Sequence, residues 1–66
     1  MERKHSQIEI GQLRLWIDSV WQDKTFLVVE RFTDLDERML KILQGNRQMV
    51  VHEGVAQRMS VLIEEP

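Results

Sequence analysis

The chain has 66 residues, of which 42% are hydrophobic and 30% charged, with a net charge of −2 and no cysteine. This length predicts one domain, whose core supplies only about 3–5 kcal/mol of net stability. The composition excludes general disorder, disulfides and thiolate zinc sites, and the slight acidity excludes an overall attraction to nucleic acid or anionic lipid. We therefore expect packing alone, or packing plus a partner chain, to hold the fold.

The domain organisation is simple. Residues 1–7 are polar and predict a flexible N-terminal tail, which leaves a single small domain over residues 8–66. No apolar run approaches the ~20 residues that a membrane helix needs. No apolar segment follows the charged N-terminus as in a signal peptide. Together with the lack of cysteine, this favours a cytoplasmic protein.

The first predicted strand covers about residues 10–18. Apolar residues alternate there with other residue types, which is typical of a half-buried strand; the apolar set is Leu13, Leu15 and Ile17, and the alternating set is Arg14, Trp16 and Asp18. The alternation places Trp16 on the face opposite Leu13, Leu15 and Ile17. Gly11, near the start, predicts a bulge or bend.

The second predicted strand, residues 25–32, is β-branched and aromatic. Phe26 and Val28 share one face, with Phe32 joining them if no bulge intervenes, whereas Leu27 and Val29 share the other. Two apolar faces predict a central strand, or a strand covered by a loop or a partner.

Residues 33–44 allow two interpretations. As a helix, Thr33 is the N-cap and Gly45 follows the C-terminus. As β-structure, residues 33–37 form an acidic turn and residues 38–44 a strand, and Gly45-Asn46 then turns tightly into a strand over residues 47–52. We favour the β interpretation because Gly45-Asn46 separates two runs of similar length.

The last segment is equally ambiguous. Val55, Met59, Leu62 and Ile63 fit one face of a helix. A short 3₁₀ turn over residues 55–59, followed by a strand over residues 60–64, fits as well. We favour the strand because Val61-Leu62-Ile63 is short and β-branched.

These elements predict a mostly β fold, an SH3-like five-stranded small barrel with a short 3₁₀ turn before the last strand. Ile10-Gly11-Gln12-Leu13, Trp16 and the run over residues 25–29 resemble short bacterial and phage proteins of uncharacterised function with this barrel. The resemblance covers about residues 8–64 and implies no catalytic residue. If residues 34–44 are helical, the alternative is an α+β fold of ββαβα order.

The sequence contains no pattern that indicates an enzyme, a metal site or a cofactor. A metal site needs three or four converging ligands, and the chain offers two histidines and no cysteine. The serines lack a nucleophile motif, and the three glycines are isolated, which excludes phosphate-binding loops. His52 and Glu53 are adjacent, so on a strand they point to opposite faces and share no site.

Aromatic residues indicate instead a non-enzymatic protein-interaction module that binds a partner protein or itself. Tryptophan is enriched at binding hot spots, and the predicted partner-binding residues are Trp16, Trp21 and Phe32. The competing interpretation places Trp16 in the core, with Trp21 sealing the end of the barrel.

A second hypothesis is a nucleic-acid-binding accessory domain, in which Arg14, Lys41 and Arg47 contact phosphates beside the aromatic residues. The eleven acidic residues argue against it. A third hypothesis takes the acidic run over residues 34–37 and the Glu64-Glu65 end as a mimic of nucleic-acid charge or a dock for a basic partner, in an inhibitor or accessory protein.

Overall fold

One antiparallel sheet of five strands organises the protein, with the order β4-β3-β2-β1-β5. The computed structural model describes residues 7–65, so the predicted flexible tail lies outside the described residues except for Gln7. The elements are β1 (Leu13–Trp16), β2 (Thr25–Asp34), β3 (Glu37–Gln44), β4 (Arg47–His52), the helix α1 (Glu53–Arg58) and β5 (Ser60–Glu64). The mostly β prediction is confirmed, and β4 and β5 form the two edges of the sheet.

Residues 33–44 form strands, so the helical interpretation of this segment is wrong, and with it the ββαβα alternative. β2 continues to Asp34 and β3 begins at Glu37, and these two residues pair. The turn is therefore only Leu35-Asp36, with φ of 52° and 67°. Two positive φ values in a two-residue hairpin fit a type I′ turn, whose twist matches that of the flanking strands.

The second hairpin turns at Gly45-Asn46, as predicted. Gln44 pairs with Arg47, and Gly45 has a φ of 65° while Asn46 has a negative φ. Glycine at the first central position fits a type II′ turn. A Cβ at Gly45 would meet no atom within 4 Å, so the requirement for glycine comes from its backbone conformation alone.

The buried face of β1 is the one that carries Arg14 and Trp16. Arg14 and Trp16 have no exposed surface, whereas Leu13 and Leu15 are half-buried and Ile17 is exposed. Trp16 carries more apolar area than a leucine, so its burial contributes more. Arg14 can follow it inward because buried hydrogen-bond acceptors surround its guanidinium.

A β-bulge in β2 changes which residues share a face. The register shifts between Val28 and Glu30, so one extra residue stands in β2 opposite β3. Phe26 and Val28 are buried on the inner face. Phe32 pairs with Met39 beyond the bulge and lies on the outer face, so it does not join Phe26 and Val28.

The segment before β5 is an α-helix rather than the predicted 3₁₀ turn, and it begins at Glu53 instead of Val55. Glu53 lies in its first turn and Arg58 in its last, which suits the helix dipole. Ala56 is buried against the sheet, and the Ser60 hydroxyl donates to the Ala56 carbonyl. The predicted final strand, residues 60–64, is confirmed.

The core lies on the inner face of the sheet, beneath α1 and the segment before β1. Hydrogen bonds join the segment before β1 to the helix and to the sheet. Ile8 N–H donates to Gln57 Oε1 of α1 at 2.7 Å, and Gly11 N–H donates to the Val28 carbonyl of β2 at 2.8 Å. The buried apolar residues are Ile8, Trp16, Phe26, Val28, Leu40, Ile42, Val51 and Ala56. Within the described residues, no helix has the length and apolar character needed to cross a membrane.

Candidate interaction surfaces

The outer face of the sheet carries a continuous apolar surface, which we call the outer patch. Its centre is a row across three strands, because Leu13 pairs with Leu27 and Leu27 pairs with Leu43. Directly opposed residues of an antiparallel pair project from the same face at a Cβ separation of about 4.5–5.5 Å. The outer patch consists of Leu13, Leu15, Leu27, Leu43, Val50 and Val61.

The outer patch is open to solvent from its central row to the edge strand β4. Leu27 is 37% exposed, Leu43 is 39% exposed and Val50 is 52% exposed. Leu15 pairs with Val61 and extends the patch onto the edge strand β5. Contiguous apolar surface that solvent reaches is typical of an interaction site in a small protein, whereas single exposed apolar residues are not.

One ion pair and one histidine–carboxylate contact border the outer patch. Lys41 Nζ lies 3.3 Å from Glu30 Oε1, and His52 Nδ1 lies 3.1 Å from Glu37 Oε1. Phe32 and Met39 lie half-buried between these pairs on the same face. Phe32, which the sequence analysis assigned to a partner-binding surface, therefore lies beside the apolar outer patch. Lys41 lies on this face too, paired with a carboxylate.

Trp16 is fully buried and is therefore not available to a partner, which corrects its assignment to a binding surface. Its ring lies 4.5 Å from that of Phe26 and 5.3 Å from that of Trp21, measured between ring centroids. Its indole N–H donates to Gln44 Oε1 at 2.8 Å. The core interpretation of Trp16 is the correct one, because both its apolar surface and its polar atom are satisfied internally.

Arg14 is also fully buried, so it cannot contact the phosphates of a nucleic acid as predicted. Its Nε donates to Ser60 Oγ at 2.8 Å, Nη1 to Gln12 Oε1 at 2.8 Å, and Nη2 to the Ser60 carbonyl at 3.3 Å. Burial lowers the pKa of Arg14, and the charge of Glu65 partly opposes this. Arg14 ties β1 to β5 and to the segment before β1, which is a structural role.

Trp21 and Arg47 line one groove, although the sequence hypotheses assigned them to different kinds of partner. The groove encloses about 590 Å³ between the β1–β2 loop and the β3–β4 hairpin. It is lined by Trp21, Asp23, Lys24, Thr25, Gln44, Gly45 and Arg47. Trp21 is half-buried and Arg47 exposed. The structure thus places an aromatic ring and two cations around one concave surface.

A smaller cavity of about 230 Å³ lies beside α1, lined by Gln7, Arg38, Glu53, Gly54 and Gln57. Glu53 is buried, and its Oε1 lies 3.7 Å from Arg31 Nε without a hydrogen bond. His52 is exposed and faces Glu37, so it shares no site with Glu53. Among residues 7–65, no three His, Asp or Glu side chains are grouped to hold a metal ion.

The sequence alone shows neither surface as a whole, because each unites residues from segments that are distant along the chain. The alternation in β1 showed that Leu13 and Leu15 share a face, but not which side of the strand is buried. Comparisons with protein-family models, curated proteins and solved structures found no match. The function is therefore argued from these surfaces alone.

Proposed function

We propose that the protein is a non-enzymatic interaction module that self-associates, with the outer patch as the interface and a second copy of the chain as the partner. The observation that carries this proposal is the Leu13–Leu27–Leu43 row, which continues across three strands of one face. Covering an apolar row on a sheet face with another apolar surface is favourable by about 25 cal/mol for each Å² that is removed from water.

Charge supports a second copy as the occupant of the outer patch. In a twofold interface each patch meets itself, so a surface dominated by one sign of charge would repel its copy. Here Glu30 is paired with Lys41, Glu37 lies against His52, and Glu64, opposite Leu13, adds one negative charge at the edge of the patch. The net charge of −2 adds little repulsion between copies. A strongly charged partner would find no complementary field on this face.

The size of the core supports self-association as well. A 66-residue chain without disulfides has about 3–5 kcal/mol of stability from one core. A second copy is present wherever the first is made, and its binding stabilises the folded state by mass action. Covering the outer patch would convert an open sheet with a core on one face into a sheet buried on both.

We infer for the fold an SH3-like small barrel that is open between β4 and β5. The strand order and the short helix before β5 support this inference. We also propose that the protein is related to the short bacterial and phage proteins that it resembles, and that it is located in the cytoplasm.

The test is a matched pair of variants studied by sedimentation velocity over a range of concentrations. Leu27→Glu places a carboxylate at the centre of the outer patch, and Val20→Glu makes the same chemical change in the β1–β2 loop, where the side chain is 90% exposed. We expect the wild type and the Val20 variant to dimerise, and the Leu27 variant to remain monomeric and folded.

Two results would overturn the proposal. The first is a wild type that stays monomeric at every concentration. The second is equal dissociation in both variants, since it would show that added charge rather than the outer patch controls assembly. Circular dichroism of the Leu27 variant separates loss of assembly from loss of folding.

A further inference from the structure

We propose that the groove between the β1–β2 loop and the β3–β4 hairpin binds single-stranded nucleic acid, with Trp21 stacking on a base and Lys24 and Arg47 contacting phosphates. This site is independent of the self-association proposal, because the groove and the outer patch share no residue.

Trp21 is held as a platform. Its ring packs on that of Trp16 at a centroid distance of 5.3 Å and an interplanar angle of 44°. Trp16 is itself fixed by Phe26 and by its hydrogen bond to Gln44. The loop is closed by backbone hydrogen bonds from Asp23 N–H to the Trp16 carbonyl at 3.0 Å and from Lys24 N–H to the Trp21 carbonyl at 2.9 Å. A ring held in this way loses little entropy when a base stacks on it.

Three side chains that line the groove supply hydrogen-bond donors: Lys24, Gln44 and Arg47. Within residues 7–65, neither Lys24 nor Arg47 has a carboxylate within ion-pair distance. Gln44 uses its Oε1 to accept from Trp16, which leaves its amide N–H groups as donors at the groove. At the hairpin tip, Gly45 adds no side chain, so a ligand can approach the backbone closely. Donors and cations together fit an anion.

The aromatic platform favours a nucleic acid over an acidic peptide. Stacking on an aromatic side chain beside backbone-tracking cations is how proteins bind single strands without reading their sequence. A peptide carboxylate would use the two cations and gain nothing comparable from the indole face. A duplex does not expose the faces of its bases, so we expect the groove to discriminate against it.

Asp23 limits the affinity of the groove, because it brings one negative charge to a site with two positive ones. Lys24 and Arg47 are the two cations that line the groove, so we expect phosphate contacts from these two side chains. Each phosphate contact to a single strand contributes about −0.7 to the slope of log affinity against log salt. The account therefore predicts a slope of about −1.4 for the wild type.

The experiment measures fluorescence anisotropy of a labelled short oligothymidylate between about 50 and 200 mM salt. One double variant is Lys24→Ala/Arg47→Ala. The matched control is Arg38→Ala/Arg58→Ala, which removes the same charge from exposed positions that do not line the groove. We expect the groove variant to lose binding and the control to retain the affinity and salt slope of the wild type.

Trp21→Ala should weaken binding roughly 5- to 150-fold, the effect of losing one stacked base, and Trp21→Phe should restore most of it. The proposal is overturned if oligothymidylate does not bind at the lowest salt, or if a duplex or an oligoglutamate binds equally well. Equal weakening by both double variants overturns it too, because binding would then follow total charge. None of these results bears on dimerisation through the outer patch.

Discussion

Replacing Leu35 at the tip of the first hairpin should stabilise the protein, although the residue is apolar and its replacement polar. Leu35 has a φ of 52°, in the left-handed region that side chains with a branched carbon chain rarely adopt. Such a conformation costs about 1–2 kcal/mol for an ordinary L-residue. Asparagine tolerates it, since its short polar side chain bonds locally, and it is favoured in type I′ turns.

The side chain of Leu35 contributes little to the stability of the fold. Leu35 is 89% exposed, so its burial stabilises the fold by at most about 0.3 kcal/mol. Leu35→Asn should therefore raise the free energy of unfolding by about 1 kcal/mol. For a domain of this size, that corresponds to an increase in Tm of about 4–8 °C.

The assay is urea and thermal denaturation followed by tryptophan fluorescence, at one protein concentration because assembly shifts Tm. Leu35→Ala is the control, since it removes the exposed side chain while keeping the left-handed penalty, and it should leave stability nearly unchanged. Equal stabilisation by both variants would refute the argument, because the gain would then come from surface polarity rather than backbone conformation.

Two further predictions concern positions where the backbone or a buried charge determines stability. Gly45→Ala should lower the free energy of unfolding by about 1–2 kcal/mol, because φ is 65° while no atom obstructs a Cβ; an unchanged urea midpoint would contradict the turn assignment. Arg14→Ala should cost about 3–5 kcal/mol by removing three buried hydrogen bonds from a charged guanidinium to Gln12 and Ser60. Circular dichroism should then show a largely unfolded chain, and a cooperative native-like melt would contradict the role given to Arg14.

The strands were predictable because each has a local signal. The run over residues 25–29 is β-branched and aromatic, and Gly45-Asn46 supplies the turn residue that a tight hairpin needs. The first hairpin was harder: Leu35-Asp36 has no glycine or asparagine, so its two-residue turn is a case in which strand pairing overrides local preference.

The face of β1 could not be predicted from alternation. A period of two shows which residues share a face but not which face is inside. An arginine is buried only where acceptors surround it, and those acceptors, Gln12 and Ser60, come from separate parts of the chain. The β-bulge after Val28 reversed the face of Phe32 for a similar reason, since the shift in register arises from the pairing with β3.

Both proposed surfaces depend on the same kind of long-range information. The outer patch joins residues of five strands, and the groove joins a loop to a hairpin that lies about twenty residues further along the chain. Trp21 and Arg47 were each singled out by residue type, and only the fold places them together.

Self-association requires that a second copy of the chain cover the outer patch. Sedimentation equilibrium of the wild type, with Leu27→Glu and Val20→Glu beside it, tests this most directly. The account predicts a concentration-dependent monomer–dimer equilibrium for the wild type and the Val20 variant, and a single monomeric species for the Leu27 variant. A wild type with the mass of a monomer throughout, or a Leu27 variant that dimerises as strongly as the wild type, would contradict it.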